Sequence, residues 1–323
     1  MNFNGFPFIL AFMEFKTFTA GTDDSGRRLD RVLSRIFENG NVKSGIFPLI
    51  RKGLVKVNEK KTSADYRVQS GDEISIASFL FTAASENSSV CKDRNSMDLN
   101  SITIFRNRHF LILNKPSGIN VQPSKESKIC LSQLVEEEYF SNKNNSLSFR
   151  PGPLHRIDRF TSGIVVFSQS LEGAKWFSTN MQDHNLSKTY LGITEGNYGR
   201  KTERYEDFLT VPDENGSGYS TVKISTTGEK KAITTAKFLG ETEISGIRAN
   251  LVEFSIETGR KHQIRAQSSH HGHPLLGDTA YGGTKLKDKM FYLHAWKLKF
   301  PQNDLELPLE ITAPCDFCGE LLQ

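Results

Sequence analysis

Long apolar runs and paired cysteines are both scarce in this chain. Hydrophobic residues make up 37% of the 323 residues, and no stretch is long enough to span a bilayer, so we expect no membrane domain. The four cysteines are too few and too scattered for the disulfide framework of a small secreted protein, and they fit a reducing cytoplasm. The chain is therefore expected to be a globular cytoplasmic protein, long enough for two domains.

Sequence motifs for metals and cofactors are also few. Cys315 and Cys318 form a lone C-x-x-C, and one such pair cannot complete a tetrahedral zinc site. His270, His271 and His273 lack the helical pair with a nearby Glu that zinc enzymes use, and no Gly-rich phosphate loop is present. We therefore expect no metal and no cofactor, with zinc at the C-x-x-C pair as the less favoured alternative.

The first residues are apolar but do not read as a signal peptide. They lack a basic region and a small-residue cleavage site. We interpret Met13 as the true start and the residues before it as an extension, with a disordered apolar tail as the alternative. Residues 1–20 are accordingly predicted to be an N-terminal tail.

Positive charge is concentrated near the N-terminus. The net charge of +4 is small, but between residues 27 and 61 ten bases face three acids. Apolar residues recur there at helical spacing: Leu29, Val32, Leu33, Ile36 and Phe37. This pattern predicts an amphipathic helix with arginines on its other face. A second short helix and several strands complete a small αα-β domain over residues 21–77.

This small domain resembles an S4 RNA-binding domain. Residues 28–33 read R-L-D-R-V-L, residues 50–58 read I-R-K-G-L-V-K-V-N and residues 71–74 read G-D-E-I. Clustered bases gain affinity for RNA by releasing counterions, and for the charges alone a solvated basic helix is the alternative. The predicted RNA-binding residues are Arg27, Arg28, Arg31, Arg51, Lys52 and Lys56.

A second, larger domain is predicted after a linker. Residues 78–100 are rich in Ser, Asn and Asp, and we interpret them as the linker. Residues 101–323 contain repeated strand-like runs and two helical segments, near 131–140 and 174–181. The predicted fold class is α+β, a small αα-β domain followed by a mostly antiparallel-sheet domain.

One segment of the larger domain surrounds a single carboxylate with cations. Residues 155–163 read H-R-I-D-R-F-T-S-G, and an apolar run follows at 164–167. A carboxylate beside cations stays ionised, and a β-branched strand directly after it would fix its direction. Asp158 is therefore a candidate nucleophile or base, with a surface salt-bridge cluster as the alternative.

Four segments in order resemble the RluA family of pseudouridine synthases. Residues 155–163 are similar to its H-R-L-D-x-x-T-S-G motif, with Ile157 at the usual Leu. Residues 113–121 are similar to its N-K-P-x-G motif, 188–192 to its K-x-Y segment, and 257–283 to its T-G-R-x-H-Q-I-R and G-H-P-x-x-G-D block. The S4-like domain resembles the branch that modifies large-subunit ribosomal RNA. The resemblance implies that uridine is isomerised to pseudouridine in the pseudouridine synthase fold.

The same resemblance implies roles for individual residues. Asp158 would attack C1′ or remove the 2′ proton, and both routes stay open. Arg265 would pair with Asp158, and Tyr190 would stack on the uracil. Arg156 would fill the space that the extruded base leaves in the RNA. The other predicted substrate-binding residues are His155, Thr161, Arg260, His262 and Gln263.

Two other functions are weighed against this one. A non-catalytic RNA-binding protein would use only the S4-like domain. A carboxylate-dependent nucleosidase or glycosidase would need a second positioned carboxylate, for which Asp278 is a weak candidate. The expected partner is RNA, with large-subunit ribosomal RNA preferred, no membrane and no obligate protein partner, which predicts a monomer.

Overall fold

The structure is a computed structural model of the chain. It describes the following residues: 13–37, 45–81, 97–124, 130–141, 146–198, 201–210, 221–225, 227, 230–287 and 291–318. The chain divides into two compact units, Met1–Met97 with Glu137–Arg150, and Asp98–Glu136 with Pro151–Gln323. The predicted extension before Met13 and most of the predicted linker, residues 82–96, lie outside the described residues.

The first unit contains a three-stranded antiparallel sheet and two helices. Its elements are β1 (Phe15–Thr19), α1 (Leu29–Ile36), α2 (Ile46–Arg51), β2 (Val55–Val57) and β3 (Glu73–Ala77), with strand order β1-β3-β2. The predicted helical spacing is confirmed in α1, where Leu29, Val32 and Leu33 are fully buried. Part of the predicted N-terminal tail is the strand β1, because its backbone pairs with β3 from Phe15 to Thr19.

A buried carboxylate joins a distant segment to the first unit. Asp24 is fully buried and accepts hydrogen bonds from the backbone N–H groups of Leu147 and Ser148 at 2.9 and 2.8 Å. The hydroxyl groups of Ser146 and Ser148 donate to Asp24 at 3.0 and 2.6 Å. Residues 137–150 were assigned to the larger domain from sequence, and these contacts explain why they belong to the first unit.

The second unit is built on one large sheet. Its strands are β4 (Thr103–Arg106), β5 (Phe110–Lys115), β6 (Ser162–Ser168), β7 (Ser187–Thr194), β8 (Thr202–Thr210), β9 (Lys223–Ser225), β10 (Lys231–Ile244), β11 (Ile247–Ile256), β12 (Leu293–Lys299) and β13 (Glu310–Thr312). The order is β4-β5-β6-β12-β7-β11-β10-β8-β9, with β13 paired to β12. Among the described strands only β6 and β12 run parallel, so the predicted mostly antiparallel pairing holds.

Three helices follow α2 in the chain. They are α3 (Leu131–Ser141), α4 (Leu171–Gln182) and α5 (Gln263–His270), and the division into units falls within α3, before Glu137. The two helices predicted from sequence are confirmed as α3 and α4. The α4 helix begins before the predicted position because the Ser170 hydroxyl caps it, accepting a hydrogen bond from the backbone N–H of Gly173 at 3.0 Å.

The sheet order brings the two sequence motifs of the site together. Asp158 lies in the loop that enters β6, which pairs with β12, and β12 pairs in turn with β7, which carries Tyr190. Gly163 permits this approach. It has φ of +105°, and a Cβ there would lie 2.3 Å from the carbonyl oxygen of Ala295 on β12.

Two features bear on membranes and metals. Within the described ranges, no helix is long and apolar enough to cross a membrane. No group of three or more His, Cys, Asp or Glu side chains is arranged to hold a metal ion in the part of the chain that the structure describes. Cys315 and Cys318, which the sequence left without a role, are joined as a disulfide.

Candidate active site

A cleft of about 380 Å³ opens on the second unit. Its walls come from the loop before β6, from β7, from the end of β11 and from the start of α5. All nine residues predicted for catalysis or substrate binding line it: His155, Arg156, Asp158, Thr161, Tyr190, Arg260, His262, Gln263 and Arg265. Residues more than 100 positions apart in the chain therefore meet in one place.

The two oxygens of Asp158 have different surroundings. Oδ2 accepts a hydrogen bond from Nη1 of Arg265 at 3.3 Å and lies 3.7 Å from Nε2 of His262. Oδ1 accepts no hydrogen bond from any residue that the structure describes, and the side chain is 23% exposed. The carboxylate is thus held through one oxygen, and the other remains open to a ligand in the cleft.

Arg265 is shared between two carboxylates. Its Nε and Nη2 donate to Oδ2 and Oδ1 of Asp278 at 2.6 and 2.9 Å, and its Nη1 reaches Asp158. Burial lowers the pKa of Arg265, but the hydrogen bonds and charge of Asp278 outweigh burial, so the net shift is upward. The guanidinium also lies 4.5 Å over the ring of Phe291. Asp278 therefore fixes the arginine that holds Asp158.

The hydrogen bonds around His262 indicate which of its ring nitrogens carries the proton. The backbone N–H of Val222 donates to the Tyr281 hydroxyl at 2.8 Å, so this hydroxyl has its own proton available for Nδ1 of His262, 2.9 Å away. Burial lowers the pKa of His262 despite the opposing charge of Asp158, which favours the neutral ring. We infer that the remaining ring proton is on Nε2, facing Asp158.

The motif at residues 113–121 contacts the loop that carries Asp158. Lys115 is fully buried, and its Nζ donates to the carbonyl oxygens of Pro116, Ile119 and Arg159 at 2.9, 2.9 and 2.8 Å. Burial lowers the pKa of Lys115 to about 7, while the nearby Asp158 carboxylate opposes that shift. Three carbonyl acceptors require three N–H donors, which is the geometry of an ammonium group.

Replacing Lys115 with methionine should destabilise the second unit. The carbonyl oxygens of Pro116 and Ile119 would lose this donor, whereas that of Arg159 still accepts from the backbone N–H of Gly118. At about 1–3 kcal/mol for each group left unsatisfied, we expect a total loss of about 2–6 kcal/mol. Both tryptophans, Trp176 and Trp296, lie in this unit, and their fluorescence during urea unfolding reports on it. Replacing the exposed Lys175 with methionine is the control, and a similarly small effect for both variants would contradict this account.

Tyr190 and His155 are held neutral at the cleft. Burial, with the charge of Asp158 adding to it, raises the pKa of Tyr190, so its hydroxyl stays protonated at neutral pH. Burial, with the cation of Lys188 adding to it, lowers the pKa of His155 to about 4. Nε2 of His155 accepts a hydrogen bond from the backbone N–H of Val166 at 3.2 Å, which also favours the neutral ring.

The remaining predicted residues differ in how free they are. Arg156 and Arg260 are exposed at the cleft, where they can meet an anionic ligand. Thr161 is buried, and its backbone N–H donates to the carbonyl oxygen of Asp158 at 3.1 Å. Both ends of the Gln263 amide are occupied: Oε1 accepts from the Thr258 hydroxyl, and Nε2 donates to the carbonyl oxygen of Ile233. We expect Gln263 to anchor α5 to β10 rather than to bind substrate.

Sequence comparison identifies the family to which this site belongs. A sequence profile of the RNA pseudouridylate synthase family matches residues 109–270, half of the chain, including Asp158, Tyr190 and Arg265. The chain belongs to the RNA pseudouridylate synthase family. It is therefore an RNA pseudouridine synthase, an isomerase.

Curated relatives of this synthase match along most of its length. Ribosomal large subunit pseudouridine synthase C of Vibrio vulnificus is 28% identical over 313 residues, covering 93% of this chain and 92% of the relative. The protein of that name in Escherichia coli is 27% identical over 303 residues, with 91% of each chain covered. The uncharacterized RNA pseudouridine synthase YhcT of Bacillus subtilis is 30% identical, covering 81% of this chain and 82% of the relative.

Solved structures share the fold of this synthase. Human RNA pseudouridylate synthase domain containing 1 superposes with a TM-score of 0.56 at 20% identity, covering 68% of this chain and 86% of that one. Human RNA pseudouridylate synthase domain containing 4 gives a TM-score of 0.52 at 19% identity, covering 67% and 89%.

The basic residues predicted to bind RNA fall into two groups in the first unit of the synthase. Three are engaged within the protein: Arg27 donates to the Ser148 carbonyl, Arg28 forms two hydrogen bonds with Asp30, and Lys56 lies 4.6 Å over the ring of Phe15. The other three are exposed: Arg31, Arg51 and Lys52. The exposed group is the better candidate for phosphate contact.

Proposed function

We propose that this synthase isomerises specific uridines of large-subunit ribosomal RNA to pseudouridine. The observation that carries the proposal is the carboxylate of Asp158, held through Oδ2 with Oδ1 open to the cleft. The names of the Vibrio vulnificus and Escherichia coli relatives, which match over more than nine-tenths of each chain, support ribosomal RNA as the substrate.

The geometry fits a reaction in which one carboxylate acts at the sugar. The N1–C1′ bond of uridine breaks, the uracil turns, and C5 joins C1′, with no external reactant. Oδ1 of Asp158 either attacks C1′ or removes the 2′ proton. Both routes require an anionic oxygen that accepts no hydrogen bond from the protein. Within the described residues, Oδ1 is such an oxygen, because Arg265 and His262 both lie at Oδ2, where they keep the carboxylate in place.

The target nucleotide has to leave the RNA stack to reach this carboxylate. Extruding a base costs a few kcal/mol, which contacts in the cleft and in the vacated space offset. Tyr190 presents an aromatic ring in the cleft on which uracil can stack before and after it turns. Arg156 is exposed at the cleft and two residues from Asp158, so it is placed to occupy the vacated space.

A nucleosidase is the less favoured activity for this cleft. It would need a second carboxylate free to act as acid or base. Both oxygens of Asp278 accept hydrogen bonds from Arg265, and its side chain is only 2% exposed. Glu257 lines the cleft but is paired with Arg204. Asp278 is therefore not available to activate water, and Glu257 would first have to leave its ion pair.

Comparison of cells with and without the gene tests this function directly. We expect one or a few uridines of the large-subunit RNA to lose pseudouridine when the gene is deleted. The wild-type gene should restore these positions, and a gene encoding Asp158→Asn should not. A deletion strain whose large-subunit pseudouridines are all unchanged would refute the ribosomal substrate.

We also propose that the first unit binds RNA as an S4-like domain. Replacing Arg31, Arg51 and Lys52 together with glutamine should weaken RNA binding and make the affinity less sensitive to salt. Each lost phosphate contact reduces the slope of log affinity against log salt by about 0.7–0.9, so the expected change is about 2–3. Filter binding across a salt series measures the slope.

A charge-balanced control accompanies this measurement. Lys299→Gln combined with Glu310→Gln removes a surface ion pair of the second unit without changing the net charge. This control should keep the wild-type slope. Identical slopes for the triple variant and the wild-type protein would mean that the basic face does not touch this RNA.

A further inference from the structure

Lys188 is a cation in the cleft that pairs with no carboxylate among the residues that the structure describes. Its Nζ lies 3.5 Å from the sulfur of Met181, and it forms no ion pair with any residue that the structure describes. The other buried cations differ: Lys115 is surrounded by carbonyl oxygens, and Arg265 bonds two carboxylates. Burial lowers the pKa of Lys188. An unpaired ammonium in such a place is costly unless a ligand supplies the anion.

The position of Lys188 on β7 indicates which part of the ligand it meets. Side chains two residues apart on a strand point to the same face, so Lys188 and Tyr190 line the same wall. Gly259 also lines the cleft close to this ammonium, since a Cβ added at Gly259 would lie in van der Waals contact with Nζ, at 3.6 Å. His155, the neighbouring titratable group, is neutral and adds no anion. A base stacked on Tyr190 would therefore lie beside the ammonium.

We propose that Lys188 donates a hydrogen bond to a carbonyl oxygen of the uracil and stabilises the negative charge that the base acquires when it leaves the sugar. This inference rests on the proposed isomerisation. When the N1–C1′ bond breaks, its electron pair passes into the uracil ring and spreads onto the carbonyl oxygens. Lys188 keeps its proton throughout. C5 then forms the bond to C1′ with that electron pair, as Asp158 leaves C1′ or returns the 2′ proton to C2′. Loss of the C5 proton and gain of a proton at N1 restore the ring.

Replacing Lys188 with methionine removes the charge and keeps most of the side-chain volume. Loss of a donor to a developing oxyanion lowers rates by about 10²–10³-fold, so we expect a single-turnover rate about 10²-fold below wild type. RNA affinity should stay within about twofold, because the charge forms after binding. Lys188→Arg should keep more activity than Lys188→Met. The exposed Lys175→Met is the control and should match wild type.

The phosphate of the flipped nucleotide is a second oxyanion that could face Lys188, and altered substrates distinguish the two sources. The probe is the ribosomal RNA fragment on which the wild-type protein is active, carrying 2-thiouridine or 4-thiouridine at the target. For each enzyme, we divide the rate on the unmodified fragment by the rate on the thio-substituted fragment. At the carbonyl position that Lys188 contacts, this ratio should be at least about fivefold larger for the wild-type enzyme than for Lys188→Met. A methylphosphonate at the target phosphate should change both enzymes equally.

Two results would overturn the assignment. In one, Lys188→Met binds RNA more weakly but keeps its rate, the methylphosphonate no longer has an effect in the variant, and the thio-substitution has the same effect in both enzymes. This result would assign Lys188 to the phosphate. In the other, a folded Lys188→Met has the wild-type rate. Activity of the wild-type protein on the same fragment is measured first, so failure of the proposed function is seen separately.

Discussion

Replacing Asp158 with asparagine is expected to reduce the single-turnover rate of pseudouridine formation by at least about 10³-fold. The change keeps the volume of the side chain and removes the anionic oxygen. General acid–base catalysis contributes about 10²–10⁴-fold, and loss of a nucleophile costs at least as much, so either route predicts a loss of this size. Release of tritium from 5-labelled uridine in the ribosomal RNA fragment measures the rate.

Measurements of folding and RNA binding distinguish a loss of chemistry from a loss of structure or affinity. The Asp158 side chain is partly exposed, and its carboxylate meets Arg265 through one oxygen only, so the asparagine variant should fold and bind RNA. Urea unfolding followed by tryptophan fluorescence and filter binding serve as controls. Appreciable activity in a well-folded Asp158→Asn protein would refute the assignment of the reacting group.

The second large effect is expected for Arg265→Met, which should impair both stability and rate. Removing one partner of a buried ion pair costs about 3–5 kcal/mol because the remaining charge is left unpaired. Asp278, with a side chain only 2% exposed, would be that charge. Asp158 would also lose its hydrogen-bond donor at Oδ2, so we expect a rate loss of about 10²-fold or more.

A double variant separates these two effects. Arg265→Met combined with Asp278→Asn removes the unpaired buried carboxylate, so it should regain much of the lost stability in urea. Its activity should remain as low as that of Arg265→Met, because Asp158 still lacks its partner. Recovery of activity together with stability would show that Arg265 serves the fold and not the reaction.

The sequence predicted the parts of the site that lie in contiguous motifs. Asp158, Tyr190 and Arg265 each lie within a short string of matching residues, and all three line one cleft. Asp278 was considered only as a second catalytic carboxylate. Its pairing with Arg265 spans thirteen residues and a loop, and no periodicity reports such a contact. Lys188 lies in the K-x-Y segment but was given no role, because only the folded cleft shows that no described carboxylate pairs with it.

The fold was predictable to a similar extent. Helical spacing identified α1, α3 and α4, and runs of β-branched residues indicated a sheet. The alternation of apolar and polar residues within a strand does not indicate which strand pairs with it. The parallel pairing of β6 with β12 therefore could not be predicted. The contacts between Asp24 and residues 146–148 join parts of the chain more than 120 residues apart, beyond the reach of local pattern.

Nucleoside analysis of RNA treated with the purified protein tests the central claim most directly. An isomerase that uses Asp158 without an external reactant should convert each uridine lost into one pseudouridine, with no free uracil and no change in RNA mass. The Asp158→Asn protein should leave the uridine content unchanged. Free uracil appearing in step with uridine loss, or pseudouridine formed equally by the variant, would contradict the account.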